Sequence, residues 1–228
     1  MADFQTNAGV SVAARVTGNR DLLTSTHLMK WAAQGKIFEA GQGLQTVAID
    51  SQAEASLTPD DTKATYALVA PSGDSPLIIP IMLRVCWEAQ GGAATDNHLI
   101  FTKKASDCVV DLALSGRASI SIQNMNKGKS HSPKASALYG VVSTFLLTVS
   151  ALVDADNVMY DLTAHVDNNV VAPLTGTSQQ VQWNFLADGA PHILAAGAAM
   201  IFYISNTSTA ALIHPYMQWA EVTEEDLV

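Results

Sequence analysis

Residues 77 to 88 alternate at period two, with Ile79, Ile81, Leu83, Val85 and Trp87 on one side and Ile78, Pro80, Met82, Arg84 and Cys86 on the other. Successive side chains of a strand point to opposite faces, so a run of this length commits the chain to a long β-strand. Pro80 has no N–H for a ladder, which places an edge or a bulge in that strand. The turn cluster Pro71-Ser72-Gly73-Asp74-Ser75-Pro76 sets where the strand begins.

The same period holds from Gly35 almost to the end. Short β-rich runs at residues 44–50 and 65–70 flank a polar loop through Thr58-Pro59-Asp60-Asp61. Further strands are expected at residues 107–114, 118–123, 141–153, 159–166, 180–186, 198–205 and 211–222. In the last three, Val181/Trp183/Phe185, Met200/Phe202/Ile204 and Ile213/Met217/Trp219 put large apolar side chains on one face. About nine or ten strands result, with no regular alternation of helix and strand, and this predicts an all-β fold of two packed antiparallel sheets.

Ahead of the strands lies one short helix. Thr24, Ser25 or Thr26 is placed to cap a segment from His27 to Gln34, and Gly35 stands where a left-handed C-terminal cap is needed. Residues 1–36 therefore read as an N-terminal arm and short helix, and 37–228 as a single domain, since neither an internal repeat nor a low-complexity linker divides it.

Two uncharged stretches, 135–153 and 189–220, are long enough to raise the question of a membrane span. The first carries six hydroxyl side chains and alternates; the second is broken by Pro191, Gly197, Asn206-Thr207-Ser208-Thr209 and Pro215. Both read as buried strands and hairpins, so no transmembrane segment is expected. The start, Met1-Ala2-Asp3-Phe4-Gln5-Thr6-Asn7, has neither the basic residues nor the apolar run of a secretory signal. Cys86 and Cys108 are then either free thiols, the default without such a signal, or one bridge.

Charge narrows the function. A net charge of −9 argues against a surface that binds polyanions throughout. Charged residues are 14% of the chain and apolar ones 48%, against about 25% charged in an average soluble domain. Further surface is expected to be buried between copies, and the uncharged 189–220 region in particular would otherwise expose a broad apolar patch.

The chemistry-bearing residues form no catalytic constellation. Gly128-Lys129-Ser130 resembles the end of a phosphate loop, yet Gln123 stands where the pattern needs its first glycine, and His131-Ser132-Pro133 is a poor helix start. The surrounding Asn126 to Lys134 segment concentrates positive charge without an aromatic residue to stack on bases, and reads as an exposed loop. Asp154, Asp156 and Asn157, with Asp167, Asn168 and Asn169, offer calcium-type oxygens, but turn chemistry accounts for them equally. His27, His98, His131, His165, His192 and His214 show no metal spacing, and Asn206-Thr207-Ser208 reads as a turn rather than a glycan acceptor. No Gly-x-Ser-x-Gly elbow or carboxylate pair stands out. The expectation is a protein that is not an enzyme, with no catalytic residue, cofactor or metal. Trp31, Trp87, Trp183 and Trp219 could stack on sugars, although the last three sit at core-facing spacing.

Several segments together resemble viral single jelly-roll proteins, notably small virion proteins of tailed or membrane-containing phages. They are Lys30-Trp31-Ala32-Ala33-Gln34-Gly35-Lys36-Ile37-Phe38-Glu39-Ala40, the turn Ala70-Pro71-Ser72-Gly73, the apolar hairpin from Ile193 to Phe202, and a last strand from Tyr216 to Val222. The resemblance implies a two-sheet sandwich of jelly-roll type and a structural role as a capsid or shell-decorating subunit that self-assembles. Partners would be further copies and other virion proteins, in a virion built in the host cytoplasm. Residues 1–36 hold only Arg15, Arg20, Lys30 and Lys36, so direct genome binding by a basic arm is not expected. The alternative is a binding module, such as a phage receptor-binding head or a carbohydrate-binding sandwich. Trp219 is expected to anchor the core. The tail Glu224-Glu225-Asp226 is expected to be dispensable for stability and free to meet Lys127, Lys129 and Lys134 of a neighbour.

Overall fold

The computed structural model describes residues 3–5, 11–13, 15–16, 22–23, 27–41, 49–50, 52–53, 63–71, 76–89, 97–104, 117–140, 147–148, 158–164, 180–186, 192–206 and 212–227. Helix α1 is His27–Gln34. The strands of the two main sheets are β1 (Ile37–Gly41), β2 (Tyr66–Val69), β3 (Leu77–Ala89), β4 (Asn97–Lys104), β5 (Arg117–Ser119), β6 (Ile122–Asn124), β7 (Ser136–Gly140), β8 (Val158–Ala164), β9 (Gln180–Asn184), β10 (Ala199–Asn206) and β11 (Leu212–Val222).

The helix ends as its sequence dictates. Gly35 has φ 76°, its N–H bonds to Ala32 O at 3.0 Å, and Lys36 N–H bonds to Trp31 O at 2.9 Å. These are the two bonds of a Schellman motif, which needs a left-handed residue that glycine adopts without a Cβ penalty. The candidate caps Thr24, Ser25 and Thr26 lie outside the described residues.

One sheet runs β6-β1-β11-β3-β9, with Ile49–Asp50 also paired to β11. The other runs β5-β7-β2-β10-β4-β8, with Gln52–Ala53 paired parallel to β10. The labelled strands all pair antiparallel, and eight of them nest: β1 with β11, β2 with β10, β3 with β9, and β4 with β8. That is the pairing of one long hairpin. Bending it over brings β11 against β3 and β10 against β4, which divides it into two sheets. The segment between β4 and β8 contributes β6 to the edge of β1 and β7 to the edge of β2, so it widens both sheets on one side. An all-β sandwich with one short helix is thus the observed architecture.

Between the sheets lies the larger core, with Phe38, Tyr66, Leu83, Phe202, Met217 and Trp219 among its buried members. A second cluster packs under α1 on the outer face of the first sheet, where Trp31 meets Ile37, Ile79, Ile81, Ala220 and Val222. The two clusters meet at an irregularity in β3: Pro80 pairs with Trp219 and Met82 with Gln218, which leaves Ile81 as an extra residue. Such a bulge is what a proline inside a central strand requires. It also reverses the parity. Ile78 faces the main core with Leu83 and Val85, whereas Ile79 and Ile81 face the helix, so the single-face assignment of Ile79, Ile81, Leu83 and Val85 is corrected.

Four more expectations change. Residues 118–123 are two strands in different sheets, because the chain crosses at the buried Ile120. Residues 193–202 are no hairpin: Leu194 bridges to Ile78 of the first sheet before β10 joins the second. A turn closed by Ala198 N–H to Ala195 O makes that crossing, with Gly197 at φ 75°. In the 189–220 region the apolar side chains of Leu194, Met200, Ile201, Phe202, Ile213, Met217 and Trp219 are all buried within this chain, so they do not form the exposed patch foreseen there. The acidic tail is not loose either. Residues Glu224–Leu227 form a 3-10 turn in which Asp226 is buried, pairs with Lys36 at 2.5 Å and accepts from Thr223 N–H and Oγ1 at 2.8 Å each. The anticipated strand at 107–114 lies outside the described residues, as does most of 141–153.

Candidate functional site

Beyond the bulge, the outer face of the first sheet is polar. Pleating turns Glu39 of β1, Tyr216 and Gln218 of β11, Arg84 of β3 and Gln182 of β9 away from the core. Register sets them in two rows: Gln123, Glu39 and Gln218 in one, and Tyr216, Arg84 and Gln182 in the next. Tyr216 Oη donates to Glu39 Oε2 at 2.6 Å, and Gln218 Nε2 donates to Tyr216 Oη at 2.6 Å. Lys127 Nζ donates to Glu39 Oε1 at 3.2 Å and to Gln123 Oε1 at 2.9 Å. The Arg84 guanidinium lies 4.9 Å over the Tyr216 ring. Gly41 sits opposite Tyr216 because a Cβ there would come within 2.9 Å of the ring.

The charges follow from these contacts. The Tyr216 hydroxyl, seconded by the Lys127 ammonium, holds the Glu39 carboxyl below its ordinary range despite partial burial. Burial and the Glu39 carboxylate push the Tyr216 phenol up. At neutral pH the pair is a carboxylate accepting from a phenol. The face therefore offers fixed charges and hydrogen bonds rather than a group poised to transfer a proton.

At the helix end of the molecule, a cleft of about 170 Å³ is lined by Gly35, Lys36, Phe38, Pro76, His131, Ser132 and Glu221. Glu221 is buried, and its carboxylate accepts from Lys134 N–H at 2.8 Å, Ala135 N–H at 3.0 Å and Trp219 Nε1 at 3.1 Å. Those donors satisfy it as a structural anchor of the basic loop. The same loop fastens to the helix, where Asn126 Nδ2 reaches Ala32 O and Ala33 O and Asn124 Nδ2 reaches Gly35 O at 2.7 Å. Ala32 O and Ala33 O are among the last four carbonyls of the helix, which lack partners within it, and Gly35 O lies just beyond its end. Sequence reasoning found the exposed loop but not its capping role, for which Asn124 and Asn126 after a β-run were the available signal.

Gly128-Lys129-Ser130 is followed by irregular chain, as a phosphate loop would not be. Trp31, Trp183 and Trp219 are buried, and Trp31 stacks on His27 at 5.8 Å, so these three are closed to sugars. Trp87 lies on β3 and His98 on β4. Cys86 is a free thiol near Gln180, with Sγ 3.9 Å from Oε1. Cys108, Asp154, Asp156, Asn157, His165, Asp167, Asn168 and Asn169 lie outside the described residues. Among the described residues, three or more His, Cys, Asp or Glu side chains nowhere gather as metal ligands, and no helix is long and apolar enough to cross a membrane. No protein-family model, curated protein or solved structure matches the chain.

Proposed function

We propose that the chain is a single jelly roll serving as a structural virion protein, a capsid or shell-decorating subunit that acts by self-assembly. The observation that carries this reading is the nested pairing of β1 with β11, β2 with β10, β3 with β9 and β4 with β8. A jelly roll is such a long hairpin wrapped into two facing sheets, an architecture that viral shells share with lectins and cupins. The resemblance of the helix, turn and last-strand segments to phage virion proteins favours the shell among these. A charged fraction of 14% points the same way, since it leaves little charge to coat every face of a lone subunit. Its partners would be further copies and other virion proteins, met in the host cytoplasm.

Light scattering and negative-stain electron microscopy of the purified chain test this. Regular shells, sheets or rings of subunits are expected across moderate salt. A strictly monomeric protein, alone and with its virion partners, would overturn it.

A binding module is the second reading, favoured by Arg84: its Nε is buried without a partner beside Tyr216, on a face that also presents Gln182 and Gln218. Amides and a guanidinium suit the hydroxyls of a glycan. Glycan-array binding that Arg84→Ala abolishes would support that alternative.

A further inference from the structure

We propose that two copies of this chain pair antiparallel along the free edge of β9, about a two-fold axis through Gln182, so that the first sheets of both join into one; the inference rests on the self-assembly reading and names a contact for it. Strand β9 closes the first sheet, with β3 on one side and, among the described residues, nothing paired on the other. The direction of its backbone groups follows from one bond. Phe185 N–H donates to Ile81 O at 3.0 Å, which makes Asn184 and Met82 a non-hydrogen-bonded pair in the antiparallel ladder. Alternation then aims the N–H and C=O of Val181 and Trp183 at β3, and those of Gln180, Gln182 and Asn184 outward from the sheet.

Natural edges are guarded against pairing by charge, proline, bulges or brevity. Among the described residues, the other three edges of the two main sheets carry such guards. Strand β5 is three residues long and includes Arg117; β6 is three residues long with the Lys127 ammonium on Gln123; β8 includes Asp161. Strand β9, Gln-Val-Gln-Trp-Asn, has no charge and no proline, and its register with β3 runs unbroken from Gln180 to Asn184. Trp183 and Phe185 are buried and hold the strand in place, while Gln180, Gln182 and Asn184 are exposed.

The pattern fits a second copy of itself. An antiparallel pairing centred on Gln182 sets Gln182 against Gln182 and Gln180 against Asn184. Every outward backbone group then finds a partner, about six hydrogen bonds in all. Each side-chain amide, donor and acceptor at once, faces another amide across the two-fold.

Sedimentation velocity on the full chain, with Gln182→Pro and Gln182→Lys, tests the contact. Proline removes the outward N–H without touching a bond to β3, and lysine sets two like charges face to face across the axis. Pairing of the wild type is expected to weaken at least about tenfold in each variant while circular dichroism and melting stay unchanged. If proline disturbs folding, lysine decides. A wild type that stays monomeric, or pairing that Gln182→Lys leaves intact, overturns the inference. Shells that form equally well from Gln182→Lys refute this contact and leave the shell reading standing. Pairs lost in the variants, with no shells from the wild type, support the contact and refute the shell.

Discussion

Among the described residues Trp219 is the largest side chain with no exposed surface; it stacks on Phe38 at 6.3 Å and donates its indole N–H to Glu221. Trp219→Ala is expected to cost about 3–5 kcal/mol in equilibrium denaturation, because a cavity opens and a buried carboxylate loses a donor. The period-two pattern made the tryptophan legible. It did not show that Glu221, two residues on and on the same face, would be buried, since acidic residues near a terminus ordinarily sit in water. Asp226 was misread for the same reason. Its hydrogen bond from Lys36, followed by that from Thr223 N–H, lowers its pKa from 3.8 to about 2. A folded pKa below the unfolded one stabilises above the unfolded value, and that stability is lost as pH falls through the folded value. Asp226→Asn is therefore expected to destabilise by about 1 kcal/mol at pH 7, discounted for nearby water, with the difference from wild type closing between pH 4 and 2 in acid melts. At Glu39, Tyr216→Phe removes the largest influence holding the carboxyl down, so side-chain NMR should find Glu39 titrating at higher pH.

Among elements, α1 shows how far local chemistry reaches. A glycine located its end, and Gly35 has a further constraint that sequence does not reveal: a Cβ there would lie 2.6 Å from Lys129 Cβ. Gly35→Ala should cost about 1–3 kcal/mol from the left-handed φ, and more if the basic loop is pushed off the helix end; chemical denaturation with and without Lys129→Gly, which removes the Cβ it would meet, separates the two. Strand β3 marks the limit of such reading. Pro80 announced an edge or a bulge, but which of the two holds and where the extra residue falls are decided by pairing with β11, and so the sequence could not say that Ile79 and Ile81 turn to the helix. Residues 118–123 fail likewise, because alternation carries across Ile120 while the chain changes sheets. The polar face was not foreseen at all. Glu39, Arg84 and Tyr216 are far apart in the chain, and only register joins them.

Periodicity tells which face a side chain takes but not which strand lies beside it, so two sheets were legible from sequence and their strand order was not. That order has a kinetic consequence. None of the eight nested strands pairs with its neighbour in the chain other than β4 with β8 across the inserted β5, β6 and β7, and the outermost pair sets Phe38 opposite Trp219, near the two ends of the domain. Each such contact must close a long loop before any burial offsets the lost entropy. Strand β11 is critical to this, since it lies between β1 and β3 and contributes Ile213, Met217 and Trp219 to the core. The chain truncated before Leu212 is accordingly expected to remain unfolded, with no near-ultraviolet dichroism, because neither β1 nor β3 then has its central partner. For the whole chain, stopped-flow refolding from denaturant should take on the order of seconds or longer, in the slow range of non-local β-topologies. Refolding within a millisecond, or a native-like signal from the truncated chain, would mean that local hairpins rather than the nested pairing direct the fold.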